Sequence, residues 1–128
     1  MSLSHVIVWI DHHEAHVIQF NAELSASKVI KSKSKHNYVH QKSGTLGAGH
    51  NNADQTYLHD VVSGLLGANE ILIVGPGSAK LELLKHATKH DAHFSEKIIG
   101  METVDHPSDA QLLAYARKYF VRVDKLRA

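Results

Sequence analysis

Histidine is the main reactive side chain of this sequence, occurring twelve times in a chain without cysteine. Disulfides, thiolate metal sites and thiol nucleophiles are therefore excluded, and imidazole and carboxylate chemistry remain. Asp11-His12-His13-Glu14 crowds both kinds of group into one short stretch. Adjacent residues of a turn between strands point apart, however, so His12 and His13 are not expected to share a ligand. His86 and His90 stand one helical turn apart with His93 nearby. A zinc site needs a third or fourth ligand with supporting groups behind it, and no His-Glu-x-x-His pattern occurs. The sequence thus predicts neither a metal nor a cofactor.

Two other stretches suit anions. Gly75-Pro76-Gly77-Ser78-Ala79-Lys80 follows an apolar run and opens a helical pattern, so free backbone N–H groups and Lys80 could hold a phosphate. It is not a P-loop, because Ala79-Lys80-Leu81 lacks the Gly-Lys-Ser/Thr ending. The preferred reading is a structural turn in which Pro76 ends pairing, Gly77 permits tight packing and Ser78 caps the helix. The second stretch lies between Glu23 and Asp54, where no acidic residue occurs and Lys28, Lys31, Lys33, Lys35 and Lys42 all fall. With a net charge of +1 overall, that leaves a mildly acidic body bearing a basic strip. Such lysines can follow a phosphate backbone while His36, Tyr38 and His40 stack on unpaired bases. The competing reading is a solvated edge strand whose lysines discourage aggregation.

The elements that must carry these groups are legible from periodicity. Residues 5–10 and 71–74 are continuous apolar runs of the kind found in strands covered on both faces. Residues 15–20 and 26–35 read as two further strands, joined by turns at 11–14 and 21–23. A long polar, glycine-bearing loop spans 36–53. Leu58, Val61, Val62, Leu65 and Leu66 then recur with helical spacing, with Asn52 or Asp54 as cap and Gly67 as stop. In the next helix Leu81, Leu84 and Thr88 form a stripe beside Leu83 and Ala87. Residues 97–104 read as a last strand, and Ser108-Asp-Ala-Gln111 is a capping-box pattern before a helix that buries Leu112, Leu113, Ala116, Tyr119 and Phe120.

The order β-β-β-α-β-α-β-α predicts a single three-layer α/β domain over residues 1–128, with a mixed five-stranded sheet in the ribonuclease-H-like order 3-2-1-4-5 and helices on both faces. That order sets Asp11 and the Gly75-Pro76-Gly77 turn on one rim. Nothing approaches the length of an apolar membrane span and no charged leader precedes an apolar core, so a cytoplasmic protein with no membrane partner is expected.

The segments Val-Trp-Ile-Asp11-His-His-Glu-Ala, Glu70-Ile-Leu-Ile-Val-Gly-Pro-Gly-Ser-Ala-Lys-Leu-Glu-Leu-Leu-Lys-His86 and Val104-Asp-His-Pro-Ser-Asp-Ala-Gln-Leu-Leu-Ala-Tyr-Ala-Arg-Lys-Tyr-Phe120 resemble small bacterial proteins labelled translational machinery proteins. These are similar to the middle domain of archaeal and eukaryotic peptide-chain release factors and of Pelota. The resemblance implies a domain acting on or near the ribosome and contacting RNA. Where release factors carry a Gly-Gly-Gln loop that assists peptidyl-tRNA hydrolysis, the corresponding loop, with Gly44, reads Gly47-Ala48-Gly49-His50. The glutamine is absent, so peptide release is not implied, and His50 is the one polar group standing in its place.

The expectation is therefore an RNA- or ribosome-associated domain, non-enzymatic or at most weakly catalytic. One alternative is a metal-dependent nuclease using Asp11 on strand one and Asp105 beyond strand five, but paired Mg²⁺ ions need several converging carboxylates and the predicted order separates these two. Asp11 reads more simply as a turn-former accepting backbone N–H groups. The other alternative is an interaction module that forms a homodimer through its edge strand.

Overall fold

The structure, a computed structural model, describes residues 5–32 and 55–127. Among these residues the sheet has five strands in the order β3-β2-β1-β4-β5. They are β1 (His5–Ile10), β2 (Glu14–Phe20), β3 (Ser25–Lys31), β4 (Glu70–Gly75) and β5 (Ile98–Thr103). Helix α1 (Gln55–Leu65) precedes β4, α2 (Ala79–His90) and a 3₁₀ helix (Ala92–Lys97) precede β5, and α3 (Asp109–Arg127) closes the chain. β1 runs antiparallel to β2 and parallel to β4, as predicted for a mixed sheet.

Alternation along the central strands sorts the core into two layers. Val6, Val8, Ile10, Ile71 and Ile73 meet Tyr57, Leu58, Val61 and Leu65 of α1 and Ala79, Leu83 and Ala87 of α2. Ile7, Trp9, Ile18, Phe20, Leu72 and Val74 meet Leu112, Ala116 and Phe120 of α3 on the opposite face. Helices thus cover both faces, which is why β1 and β4 need no polar alternation.

The capping box forms as its spacing predicts: Gln111 N–H donates to Ser108 Oγ at 3.1 Å, and Ser108 N–H donates to Gln111 Oε1 at 2.9 Å. The stripe assigned to α2 requires correction. Leu81 is 49% exposed, whereas Ala79, Leu83, His86 and Ala87 form the buried face. A buried histidine breaks the run of apolar residues by which periodicity is recognised. Ser78 is likewise not a side-chain cap; only its backbone carbonyl accepts, from Leu81 N–H and Glu82 N–H.

At the rim formed by the C-terminal ends of β1 and β4 the backbones approach closely. A Cβ at Gly75 would collide with the carbonyl oxygen of Ile10, so this position admits only glycine without a shift. Gly75 O then accepts Val104 N–H at 3.1 Å, and Trp9 Nε1 donates to Asp105 O at 2.7 Å. These two bonds lay the segment that follows β5 across the rim and fix where α3 begins.

Candidate functional site

Register places His16 directly opposite Trp9, so both side chains stand on the α3 face of the sheet, and Glu14, two residues before His16, joins them. The segment pinned by Trp9 and Gly75 brings His106 and Asp109 to the same place. His16 Nδ1 lies 2.8 Å from Asp109 Oδ1, and His16 Nε2 lies 2.8 Å from Glu14 Oε2. His106 Nε2 reaches that same Glu14 oxygen at 3.1 Å, while its Nδ1 faces Pro107 O at 3.2 Å. The indole of Trp9 is the floor: its ring lies 3.9 Å from that of His106 and meets the His16 ring edge-on at 5.7 Å. The His16 side chain is only 14% exposed, Glu14 28% and His106 47%, so the group opens outward through His106.

Every ring nitrogen of these two histidines faces an acceptor. An imidazolium can donate from both nitrogens, a neutral ring from one. Hydrogen bonds from His16 and then His106 hold the Glu14 carboxyl below its ordinary 4.5. The bond to Glu14 is likewise the main reason the His106 pKa lies above 6.5, against a smaller opposing effect of burial. The cluster therefore attracts positive charge, whether protons or a cation.

A second histidine group sits where α1 and α2 meet, with His86 buried and His59 and His90 exposed beside it. His86 and His90 rings are 4.5 Å apart and His59 lies 6.2 Å from His86. His86 Nδ1 contacts Gln55 Oε1 at 2.9 Å, and its buried Nε2 has no hydrogen-bond partner among the described residues. Burial first, then the charges of His90, His59 and Lys89, push its pKa below 6.5. His93 is not gathered into this group; its Nδ1 pairs with Glu96 at 3.3 Å.

The residues singled out from sequence fare unevenly. Asp11 Oδ1 accepts the backbone N–H groups of His13 and Glu14, each at 2.8 Å, and Asp11 O accepts the Tyr57 hydroxyl at 2.9 Å. Its carboxylate is engaged in building the turn, while Asp105 meets the rim through its backbone carbonyl. Lys80 Nζ folds back onto Gly77 O at 2.6 Å, and Glu82 adds a carboxylate to the first turn of α2. Both features oppose the reading of Gly75, Gly77, Ser78 and Lys80 as a phosphate cradle. Lys28 and Lys31 are exposed on the edge strand, but Lys28 pairs in register with Val17 and Lys31 with Glu14, so they project to opposite faces of the sheet. Lys33, Lys35, His36, Tyr38, His40, Lys42, Gly44, Gly47, Gly49 and His50 lie outside the described residues.

Sequence reasoning did not assemble Glu14, His16, His106 and Asp109. The available signal was the Glu-x-His spacing, which shares one strand face, together with the acid and histidine of Asp105-His106-Pro107-Ser108-Asp109 at a helix start. Joining them requires knowing that α3 crosses back over β1 and β2.

Architecture and site define a three-layer α/β domain with a polar rim above the C-terminal ends of its central strands. No family model matches the sequence, and no curated protein matches it. Solved structures do share the fold. Archaeoglobus fulgidus Pelota is similar at a TM-score of 0.65 and 12% identity, over 96% of this chain and 34% of that one. The archaeal translation termination factor aRF1 is similar at 0.57 and 12%, over 96% and 39%. Saccharomyces cerevisiae Dom34, a translation termination-like factor involved in RNA quality control pathways and interacting with Hbs1, is similar at 0.56 and 9%, over 94% and 34%. The chain thus spans between 34% and 39% of these neighbours' lengths, and at such identities the likeness is one of fold.

Proposed function

We propose that this chain is an RNA- or ribosome-associated domain of translation-factor type that does not itself release peptides. The observation that carries the reading is the fold likeness, over almost the whole chain, to translation termination-like factors. The resemblance to the middle domain of such factors agrees with it, as does the acid-free lysine run that begins on β3. Lys28 and Lys31 flank the two faces of the edge strand, and the proposed interface wraps that edge and follows the sequence through Lys33, Lys35, His36, Tyr38, His40 and Lys42. Gly47-Ala48-Gly49-His50 replaces the glutamine-bearing release motif, so binding rather than hydrolysis is the activity assigned. The nuclease reading is disfavoured because the Asp11 carboxylate is committed to its turn.

Co-sedimentation with ribosomes tests the proposal. The chain should pellet with ribosomes at low salt, release as salt rises, and lose most binding when Lys28, Lys31, Lys33 and Lys35 are changed to Glu. Failure to pellet at low salt, or binding indifferent to those changes, would contradict it.

A further inference from the structure

We infer that Glu14, His16 and His106 form a binding site for one divalent transition-metal ion of the zinc class. One ligand atom from each of the three lies within 4.8 Å of those of the other two. Convergence alone is weak evidence, since surface carboxylates and histidines often pair without an ion. What distinguishes this group is what stands behind the ligands. His16 Nδ1 is backed by the Asp109 carboxylate at 2.8 Å and His106 Nδ1 by the Pro107 carbonyl at 3.2 Å. Such partners hold the proton on Nδ1, aim the Nε2 lone pair at the ion and raise the basicity of the ring. The equivalent nitrogen of His86 meets only the amide oxygen of Gln55.

The donor count favours the same conclusion. With both rings neutral and their Nδ1 protons given to Asp109 and Pro107, both Nε2 lone pairs point at a Glu14 oxygen, an acceptor facing two acceptors. Two imidazolium protons relieve that conflict in acid; a dication relieves it at neutral pH without either. The space is close to that required. Bonds of about 2.0–2.1 Å to nitrogen and oxygen in a tetrahedral site separate the ligand atoms by about 3.3 Å. The Glu14 oxygen stands 2.8 and 3.1 Å from the two Nε2 atoms, so those two edges open by a few tenths of an ångström, while the two Nε2 atoms, which lie within 4.8 Å of each other, settle to about 3.3 Å as the ion binds. Two histidines and a glutamate are a donor set suited to zinc and leave a position open for water or an anionic oxygen. Half-exposed His106 is the way in, and Trp9 closes the inner side.

The test uses untagged full-length chain, Zn²⁺ in calorimetry and Co²⁺ as its visible-absorbing substitute. The expected result is one ion per chain at neutral pH, ligand-field bands of a four-coordinate nitrogen and oxygen site, and loss of both in His106→Gln and in His16→Gln. Asp109→Asn, which touches no ion, should weaken binding about 10- to 100-fold while keeping the bands. The His106 side chain is 47% exposed, so its replacement should leave the fold intact, and circular dichroism of the variant separates lost binding from unfolding. Zn²⁺ binding that survives His106→Gln, that disappears instead in His86→Gln with His90→Gln, or that is absent from the unsubstituted chain overturns the site.

Discussion

His16 and His106 on the rim face carboxylates, whereas His59, His86 and His90 on the outer helices face one another and Lys89. The same side chain therefore answers to opposite fields in two parts of one small domain. At the rim, the raised His106 pKa means a contribution to stability that is complete below 6.5 and lost as pH rises through the higher folded value. Glu14, lowered from 4.5, adds stability that is present above that value and lost as pH falls through the folded one. On the helices, His86 is lowered from 6.5, so the folded state is favoured above that pH and loses ground as acid protonates the unfolded ring. A cluster that welcomes cations and one that rejects them are readily confused when histidines are merely counted along the sequence.

The largest way to break this comparison is to remove the floor of the rim. Trp9 is 1% exposed and Trp9→Ala should cost about 3–5 kcal/mol in denaturant unfolding, through lost packing against α3 and the lost bond to Asp105 O. A cost near zero would mean that the segment carrying His106 is not seated on β1. The sharper comparison is a pair of leucines. His16→Leu strands two carboxylates that still reach some water, and should destabilise by about 1–2 kcal/mol. His86→Leu removes a buried nitrogen with no partner among the described residues, and should be neutral or stabilising by up to about 1 kcal/mol. If both variants lost stability equally, the two clusters would be electrostatically alike and the distinction would fail.

The strand order was readable because the two apolar runs, 5–10 and 71–74, must be covered on both faces, and few topologies then accommodate the remaining elements. Ser108 and Gln111 announced the start of α3 through purely local chemistry. The buried face of α2 was misread because leucines at 81 and 84 outweigh a stripe made of alanine, Leu83 and histidine. The rim cluster was hidden for a different reason. His16 and Asp109 are 93 residues apart, and nothing local says that the segment after β5 returns across β4 to β1. Local rules identify elements, but a site assembled by a crossing segment exists only once the layers are stacked. At Gly75 it is the missing Cβ that serves the fold, by letting Ile10 O approach.

The opposition between the two clusters is tested most directly by nitrogen-detected proton NMR of the imidazole rings across a pH titration of the metal-free chain. His106 should titrate above 6.5 with His86 below it. The reverse order of the two titrations would contradict the account.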